Sequence, residues 1–159
     1  MRNIPSRSDT NPDGDEVRGF AAHPGWEFFS LKHQKGEICK VVTYVRQTLL
    51  MSHDVRVVSL DDHPLASPAS QALEVSISGT SFTLVNIYHH VVNHRPALGH
   101  IIRSPLDPIL PTYIVGDFNT HSSTWSFLGA TVSSWAGSLK DWFKDSDLSL
   151  VNPTGLATR

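Results

Sequence analysis

The chain has 159 residues, of which 40% are hydrophobic, and its 13 Lys and Arg against 15 Asp and Glu give a formal net charge of −2. This size fits one soluble domain or part of one, and the slight acidity excludes a protein that holds nucleic acid by bulk positive charge alone. Cys39 is the only cysteine, which excludes an internal disulfide. No apolar run reaches the roughly 20 residues of a transmembrane helix, and residues 1–22 lack the apolar core of a secretory signal. An intracellular, soluble protein is therefore expected.

The predicted elements begin after a lead-in segment. Residues 1–22 are rich in Arg, Ser, Asp, Asn, Pro and Gly without periodicity, which indicates a mobile segment, and residues 23–159 are interpreted as one domain. From Trp26 onward the chain contains short β-branched and aromatic runs separated by polar residues, the pattern of successive strands. These runs are Trp26–Leu31, Lys40–Arg46, Asp54–Leu60, Ala72–Ser78 and Ser81–Tyr88.

The last two of these strands are predicted to form a hairpin, because Gly79 and Thr80 lie between them. Residues 82–88 are apolar at nearly every position, which predicts a central strand that is buried on both faces. Farther along, Pro96 is suited to the first position of a helix, so a short helix is predicted over 96–103.

The second half of the chain is predicted to contain two strands and one helix. Residues 111–115 form a core strand that leads directly to Gly116, and residues 148–152 form a last strand. Between them an apolar stripe at i, i+4, i+7 and i+8 predicts an amphipathic helix, with Ser133 or Ser134 as its cap. The residues of this stripe are Trp135, Leu139, Trp142 and Phe143. Strands dominate, so the predicted fold class is α/β with mainly antiparallel sheets.

One segment, Gly116-Asp117-Phe118-Asn119, carries residues suited to chemistry. If the strand that ends at Val115 continues as extended chain, Asp117 and Asn119 point to the same side and Phe118 points to the core. Phosphodiester hydrolysis requires oxygen ligands for a hard metal, a base for the attacking water, and donors for the charged phosphate oxygens. A carboxylate and a carboxamide in one pocket supply part of this set. The alternative is an ordinary Asx turn after a strand.

The surrounding residues resemble a known family. The segment Ile-Val-Gly-Asp-Phe-Asn-Thr-His ends at His121 and is followed by Trp125, and a strand ending in Asn86-Ile87-Tyr88 precedes it. This order is similar to that of the endonuclease/exonuclease/phosphatase superfamily, and most similar to the endonuclease domains of non-LTR retrotransposons. The resemblance implies a four-layer α/β sandwich of two mainly antiparallel sheets flanked by helices.

The resemblance also implies a function and a role for each matching residue. Asp117 would orient or deprotonate the nucleophilic water, Asn119 would hold the phosphate, and Tyr88 would donate a hydrogen bond to a phosphate oxygen or to the catalytic network. His121 and Trp125 would contact the substrate, although Trp125 is equally suited to packing its loop onto the sheet. The implied cofactor is Mg²⁺, or Mn²⁺ in its place. The implied substrate is DNA, and a membrane partner is not expected. A reverse transcriptase would be a neighbour in the parent element. The expected location is nuclear if the chain still acts as a retroelement enzyme.

Some motifs of the family are not recognisable, so the resemblance implies a partial domain. The family begins with a strand that carries a metal-site Asn and a second strand that ends in Gln-Glu, and it finishes with a Ser-Asp-His motif. Glu16, Glu27 and Glu37 do not lie in a matching context, so the metal ligands are unknown. Two alternatives therefore remain: a catalytically dead fragment of such a domain, and a phosphatase of small molecules from the same superfamily.

Two further groups of residues are set aside as weak candidates. The run Asp61-Asp62-His63-Pro64 resembles the terminal motif, but it precedes Tyr88 and is interpreted as a polar turn. Several histidines could ligate zinc, although no accompanying Cys or HExxH pattern supports such a site. These histidines are His89, His90, His94 and His121.

Overall fold

The structure is a computed structural model, and it describes residues 23–31, 40–89, 91–92, 95–96, 99, 102, 106, 108–126 and 130–151. The lead-in predicted for residues 1–22 lies outside this part of the chain. Two compact units are distinguished, one formed by Met1–Ile87 with Pro111–Val115 and the other by Tyr88–Leu110 with Gly116–Arg159. None of the described helices is long and apolar enough to cross a membrane.

The described elements are mainly strands, as the sequence predicts. In chain order they are β1 (Trp26–Phe29), β2 (Thr43–Arg46), α1 (Gln47–Leu50), β3 (Val55–Ser59), β4 (Ser70–Ile77), β5 (Thr80–Tyr88), β6 (Val91–Val92), β7 (Arg95–Pro96), β8 (Thr112–Asp117) and α2 (Ala136–Asp145). All five strands predicted before residue 90 are present with shifted ends, and so are the strand and the amphipathic helix predicted on either side of Asn119.

The strands form a four-stranded sheet in the order β3-β4-β5-β8 and two two-stranded sheets, β1-β2 and β6-β7. The pairs β1-β2, β3-β4, β4-β5 and β6-β7 are antiparallel. The pair β5-β8 is parallel. The amide of Thr83 donates to the carbonyl of Pro111, and the amide of His89 donates to the carbonyl of Asp117, so donors and acceptors advance along the chain in the same direction. This confirms the predicted α/β class with mainly antiparallel sheets.

The hairpin between β4 and β5 turns one residue earlier than predicted. Its central residues are Ser78 and Gly79, with φ of 49° and 82°, and Ile77 pairs with Thr80. Two positive φ angles are those of a type I′ turn, which matches the twist of the strands it joins. Thr80 therefore belongs to β5, because glycine takes the second turn position.

The core of the first unit lies on the central strands β4 and β5. Ala72, Leu73, Val85 and Ile87 are buried there, and β5 has inner positions in the sheet order, as predicted for residues 82–88. The prediction that this strand is buried on both faces is only partly correct. Thr83, Val85 and Ile87 are buried, whereas the alternate residues are half-buried as far as Asn86 and exposed at Tyr88.

The four-stranded sheet of this unit contacts the sheet β1-β2 through the side chain of Asn86 on β5. Its amide nitrogen donates to the carbonyl of Val42 at 3.4 Å and to the hydroxyl of Thr43 at 3.3 Å, at the start of β2. Such a contact between the face of one sheet and a strand of another is consistent with the predicted sandwich.

The second unit is organised by α2, whose buried residues are Ala136, Leu139 and Trp142. The predicted serine cap is wrong: no side chain caps the first residue of this helix, and the hydroxyl of Ser133 accepts the amide of His121 at 2.9 Å instead. This hydroxyl is used to hold a loop and not the helix end.

The strand predicted at residues 148–152 is also wrong within the described residues, since Leu148–Val151 are neither helix nor strand. Asp147 has a φ of 52°, its amide bonds the carbonyl of Lys144, and the amide of Leu148 bonds that of Phe143. This is the Schellman pattern that ends a helix. Leu148, the first of the apolar residues after α2, therefore closes the last turn of this helix instead of starting a strand.

The helix predicted over 96–103 lies mostly outside the described residues. Its first residue, Pro96, ends the short strand β7 and so is not helical. Pairing of β7 with β6 explains this difference, because it uses the extended backbone that residues near proline favour.

Candidate functional site

The two strands that carry the predicted site residues are neighbours in the sheet. Tyr88 is the last residue of β5 and Asp117 is the last residue of β8. Because these strands are parallel, their carboxyl ends lie at the same edge of the sheet. The amide of His89 donates to the carbonyl of Asp117 at 2.8 Å, which fixes the two strand ends in register.

The chain turns sharply after β8. Gly116 has a φ of 136° and Asn119 a φ of 43°, both on the positive side that most side chains avoid. The amide of Asn119 donates to Oδ1 of Asp117 at 2.9 Å, the hydrogen bond of an Asx turn. Asp117 and Asn119 are thus brought together as predicted, but by a turn and not by extended chain, because the left-handed backbone at Asn119 ends the strand geometry.

A second hydrogen bond fixes the orientation of the Asn119 side chain. Its Nδ2 donates to the carbonyl of His89 at 2.6 Å. Since a carbonyl only accepts, the amide nitrogen must face His89, and Oδ1 faces away from it. The second hydrogen of Nδ2 and both lone pairs of Oδ1 are then the groups that Asn119 can offer to a ligand.

The three residues predicted to be catalytic all reach solvent. The side chain of Tyr88 is 40% exposed, and Asp117 and Asn119 are exposed as well. A phosphodiester, which is large and charged, requires such access. A carboxylate, a carboxamide and a phenol therefore lie at or just after the carboxyl ends of two neighbouring strands.

The two residues predicted to bind substrate lie on the loop after Asn119. His121 is exposed, and its Nδ1 lies 3.4 Å from the hydroxyl of Ser126. Trp125 is half-buried, its ring lies 6.3 Å from that of Phe143, and its indole N–H donates to the carbonyl of Thr120 at 2.6 Å. These contacts show that Trp125 packs the loop, and contact of either residue with substrate stays a prediction.

His89 contributes to this site in a way that the sequence did not indicate. Its side chain is 0% exposed, its ring nitrogen Nδ1 lies 2.6 Å from the carbonyl of Phe118, and its ring stacks on Trp135 at 5.6 Å and 13°. The sequence suggested only a weak zinc candidate here. Burial of a polar residue at a strand end depends on distant elements, in this case α2, so no local pattern reveals it.

The oxygen atoms of this site are suited to a hard cation, but they form only a small set. Within the described residues no group of three or more His, Cys, Asp or Glu side chains could hold a metal ion. Mg²⁺ is commonly held by one or two carboxylates together with substrate phosphate and water. The carboxylate of Asp117 and the amide oxygen of Asn119 are of the chemical type that Mg²⁺ takes as ligands.

The run from Asp61 to His63 is a structured turn, in agreement with its interpretation from sequence. The hydroxyl of Ser59 donates to Asp61 at 2.7 Å, and the amide of Leu65 donates to Nδ1 of His63 at 3.1 Å. Burial lowers the pKa of His63 from its ordinary value of 6.5. Both polar side chains serve the turn itself.

His63 should make the first unit less stable in acid. Because its folded pKa lies below 6.5, the unfolded chain takes up the proton first, and stability falls as the pH decreases through that value. In His63→Asn the side-chain oxygen can still accept the Leu65 amide but does not titrate. We expect urea denaturation between about pH 7 and about pH 5.5 to show a smaller loss of stability in the variant than in the parent chain. Equal slopes would contradict this account.

Gly116 should be difficult to replace, because its φ of 136° strains any residue with a Cβ. We expect Gly116→Ala to destabilise the protein by about 1–3 kcal/mol in urea denaturation. The control is Gly137→Ala on α2, where nothing lies within 4 Å of an added Cβ. That exposed helical position should gain about 0.5–1 kcal/mol. Similar changes in the two variants would argue against a strained backbone at residue 116.

Comparison with known proteins gives one informative similarity. The fold is similar to that of a solved structure, the endonuclease domain of TRAS1, a telomere-specific non-LTR retrotransposon, with a TM-score of 0.63 and 15% sequence identity. The similarity covers 84% of this chain and 58% of that domain, so the chain spans less than two thirds of its length. No family model and no curated protein matches the sequence. The predicted likeness to retrotransposon endonuclease domains is therefore confirmed for the fold, and membership of the wider superfamily stays a prediction.

Proposed function

We propose that this chain is an endonuclease-type domain that hydrolyses phosphodiester bonds of DNA with the help of Mg²⁺. The observation that supports it most strongly is the turn of Asp117 and Asn119, which is bonded to the end of β5 next to Tyr88. A carboxylate, a carboxamide and a phenol at one edge match the requirements of water attack on a charged phosphate. The fold similarity to an endonuclease domain adds independent support.

Asp117 is the residue suited to the attacking water. One of its oxygens accepts the amide of Asn119, so the carboxylate is held in one orientation while its other oxygen can accept a proton from water. Asn119 faces His89 with its amide nitrogen, and its remaining N–H can donate to a phosphate oxygen. Tyr88 can donate its hydroxyl hydrogen to a second phosphate oxygen, where charge increases in the transition state.

If Mg²⁺ binds here, Asp117 and Asn119 are the residues whose side-chain oxygen atoms would hold it. When bound, Mg²⁺ supplies positive charge that stabilises the phosphate oxygens and the leaving oxygen. Mn²⁺ prefers the same class of ligands and is the expected replacement. The side chains of the protein would orient the attacking water and donate hydrogen bonds to the phosphate.

Conversion of supercoiled plasmid to open circles tests this function. Because several motifs of the resembling family are not recognisable, we expect slow nicking by excess protein in Mg²⁺ or Mn²⁺, and none in EDTA. Nicking that persists in EDTA would overturn the metal dependence. Absence of nicking in both metals would overturn the function and favour a catalytically dead domain, whereas hydrolysis of small phosphate esters without nicking would favour a phosphatase.

A further inference from the structure

The backbone of His89 is bonded to both ends of the turn that carries Asp117 and Asn119. Its N–H donates to the carbonyl of Asp117 at 2.8 Å, and its carbonyl accepts Nδ2 of Asn119 at 2.6 Å. These two bonds do not depend on the identity of the side chain at position 89. They bring the His89 side chain directly beneath the turn.

The side chain of His89 adds a third bond to the middle of the same turn. Its Nδ1 lies 2.6 Å from the carbonyl of Phe118, and since a carbonyl only accepts, Nδ1 must carry the proton. The imidazole end of this bond is shielded from water, because His89 is 0% exposed, while Phe118 is half-buried. A hydrogen bond in such surroundings restricts the peptide between Asp117 and Asn119 more than a solvated one would.

The imidazole ring is itself held from the side of α2. It stacks on Trp135 with 5.6 Å between centroids and 13° between planes, immediately before the first residue of the helix. The same region bonds the following loop twice, since Ser133 accepts the amide of His121 through its hydroxyl and donates its own amide to the carbonyl of His121. The His89 ring therefore has a fixed support from which it can hold the turn.

We infer that His89 is a positioning residue, whose Nδ1–H fixes the Asp117–Asn119 turn in the geometry required for hydrolysis. This inference rests on the proposed function for its catalytic consequence. Because the His89 side chain is buried, it would act through Asp117 and Asn119 and not by direct contact with substrate. A displacement of about 1 Å in catalytic groups is enough to cost roughly 100-fold in rate, so a single buried hydrogen bond can matter greatly here.

Two substitutions separate the hydrogen bond from the packing of the ring. His89→Phe keeps an aromatic ring against Trp135 but loses the donor, whereas His89→Asn keeps an amide donor near the place of Nδ1 but loses the ring. If His89 positions the turn, kcat of the folded protein should fall at least about tenfold in His89→Phe and stay within about threefold in His89→Asn, with KM little changed in both. If its role is only to pack, His89→Asn should be the more damaged variant.

A measurement without substrate keeps the inference separate from the proposed function. In ¹⁵N NMR spectra of the parent chain, Nδ1 of His89 should be protonated and its hydrogen should exchange slowly. The amide resonances of residues 117–119 should shift more in His89→Phe than in His89→Asn. These results together with absent hydrolysis would reject the proposed function but keep the structural role of His89.

Three outcomes would overturn the inference. One is an unprotonated Nδ1 in the parent chain, which requires no variant and so remains decisive if a variant fails to fold. Another is equal activity of the two variants after correction for the folded fraction. The third is amide spectra at 117–119 that respond to loss of the ring but not to loss of the donor.

Discussion

Asp117→Asn is expected to lower phosphodiester cleavage by a factor of about 10² to 10⁴, which is the usual contribution of a positioned acid or base. Asparagine has nearly the same shape and retains an oxygen that can accept the amide of Asn119, so the turn should persist. What is lost is the negative charge, to which the proposed function assigns acceptance of a proton from water and attraction of a cation. The substitution therefore tests the chemistry of the site with little change of structure.

The comparison requires two other variants. Asp117→Ala should lose the same activity and also about 0.5–1.5 kcal/mol of stability, because the Asn119 amide loses its acceptor. Asp141→Asn removes a carboxylate on the exposed face of α2 and should leave activity within about twofold. Nicking assays with excess protein and urea denaturation measure the two effects. Full activity in Asp117→Asn would exclude Asp117 as the base.

Leu139→Ala is expected to destabilise the second unit by about 2–5 kcal/mol, the range for a buried leucine that leaves a cavity. Leu139 is 1% exposed and lies on the buried face of α2 between Ala136 and Trp142. Because domains of this size are stable by only about 5–15 kcal/mol, this is a large fraction of the total free energy of unfolding.

The matched control is Leu150→Ala, which makes the same chemical change at a residue that is 43% exposed and outside any helix or strand. Its stability should change by less than about 0.5 kcal/mol. Urea denaturation followed by tryptophan fluorescence measures both variants, since Trp135 and Trp142 report on α2. A small effect in Leu139→Ala would mean that the apolar face of this helix is not packed.

Much of the fold and part of the site could be predicted because the relevant patterns are local. The apolar stripe of α2 predicted a helix that is present, and the β-branched run before Gly116 predicted β8. The proximity of Asp117 and Asn119 follows from their separation by one residue. Its cause was not predicted, since extended chain and an Asx turn both bring these side chains together, and sequence alone does not fix the φ of Asn119.

The features that sequence missed depend on residues far apart. Leu148 and its neighbours look like a strand, but their backbone closes the last turn of α2 because Asp147 adopts a left-handed conformation. Ser133 looks like a helix cap, but its hydroxyl is used by His121. The role of His89 requires contacts with Phe118 and Trp135, which lie 29 and 46 positions farther along the chain.

The parallel pairing of β5 with β8 has a consequence for the order in which the protein folds. The hairpin of β4 and β5 joins neighbouring residues through a two-residue turn, so it can form early and at little cost in loop closure. A parallel pair requires a long crossover, and contacts between distant residues form more slowly. Tyr88 and Asp117 therefore come together only after this crossover closes, so the proposed nuclease activity should recover later during refolding than the signal of the hairpin.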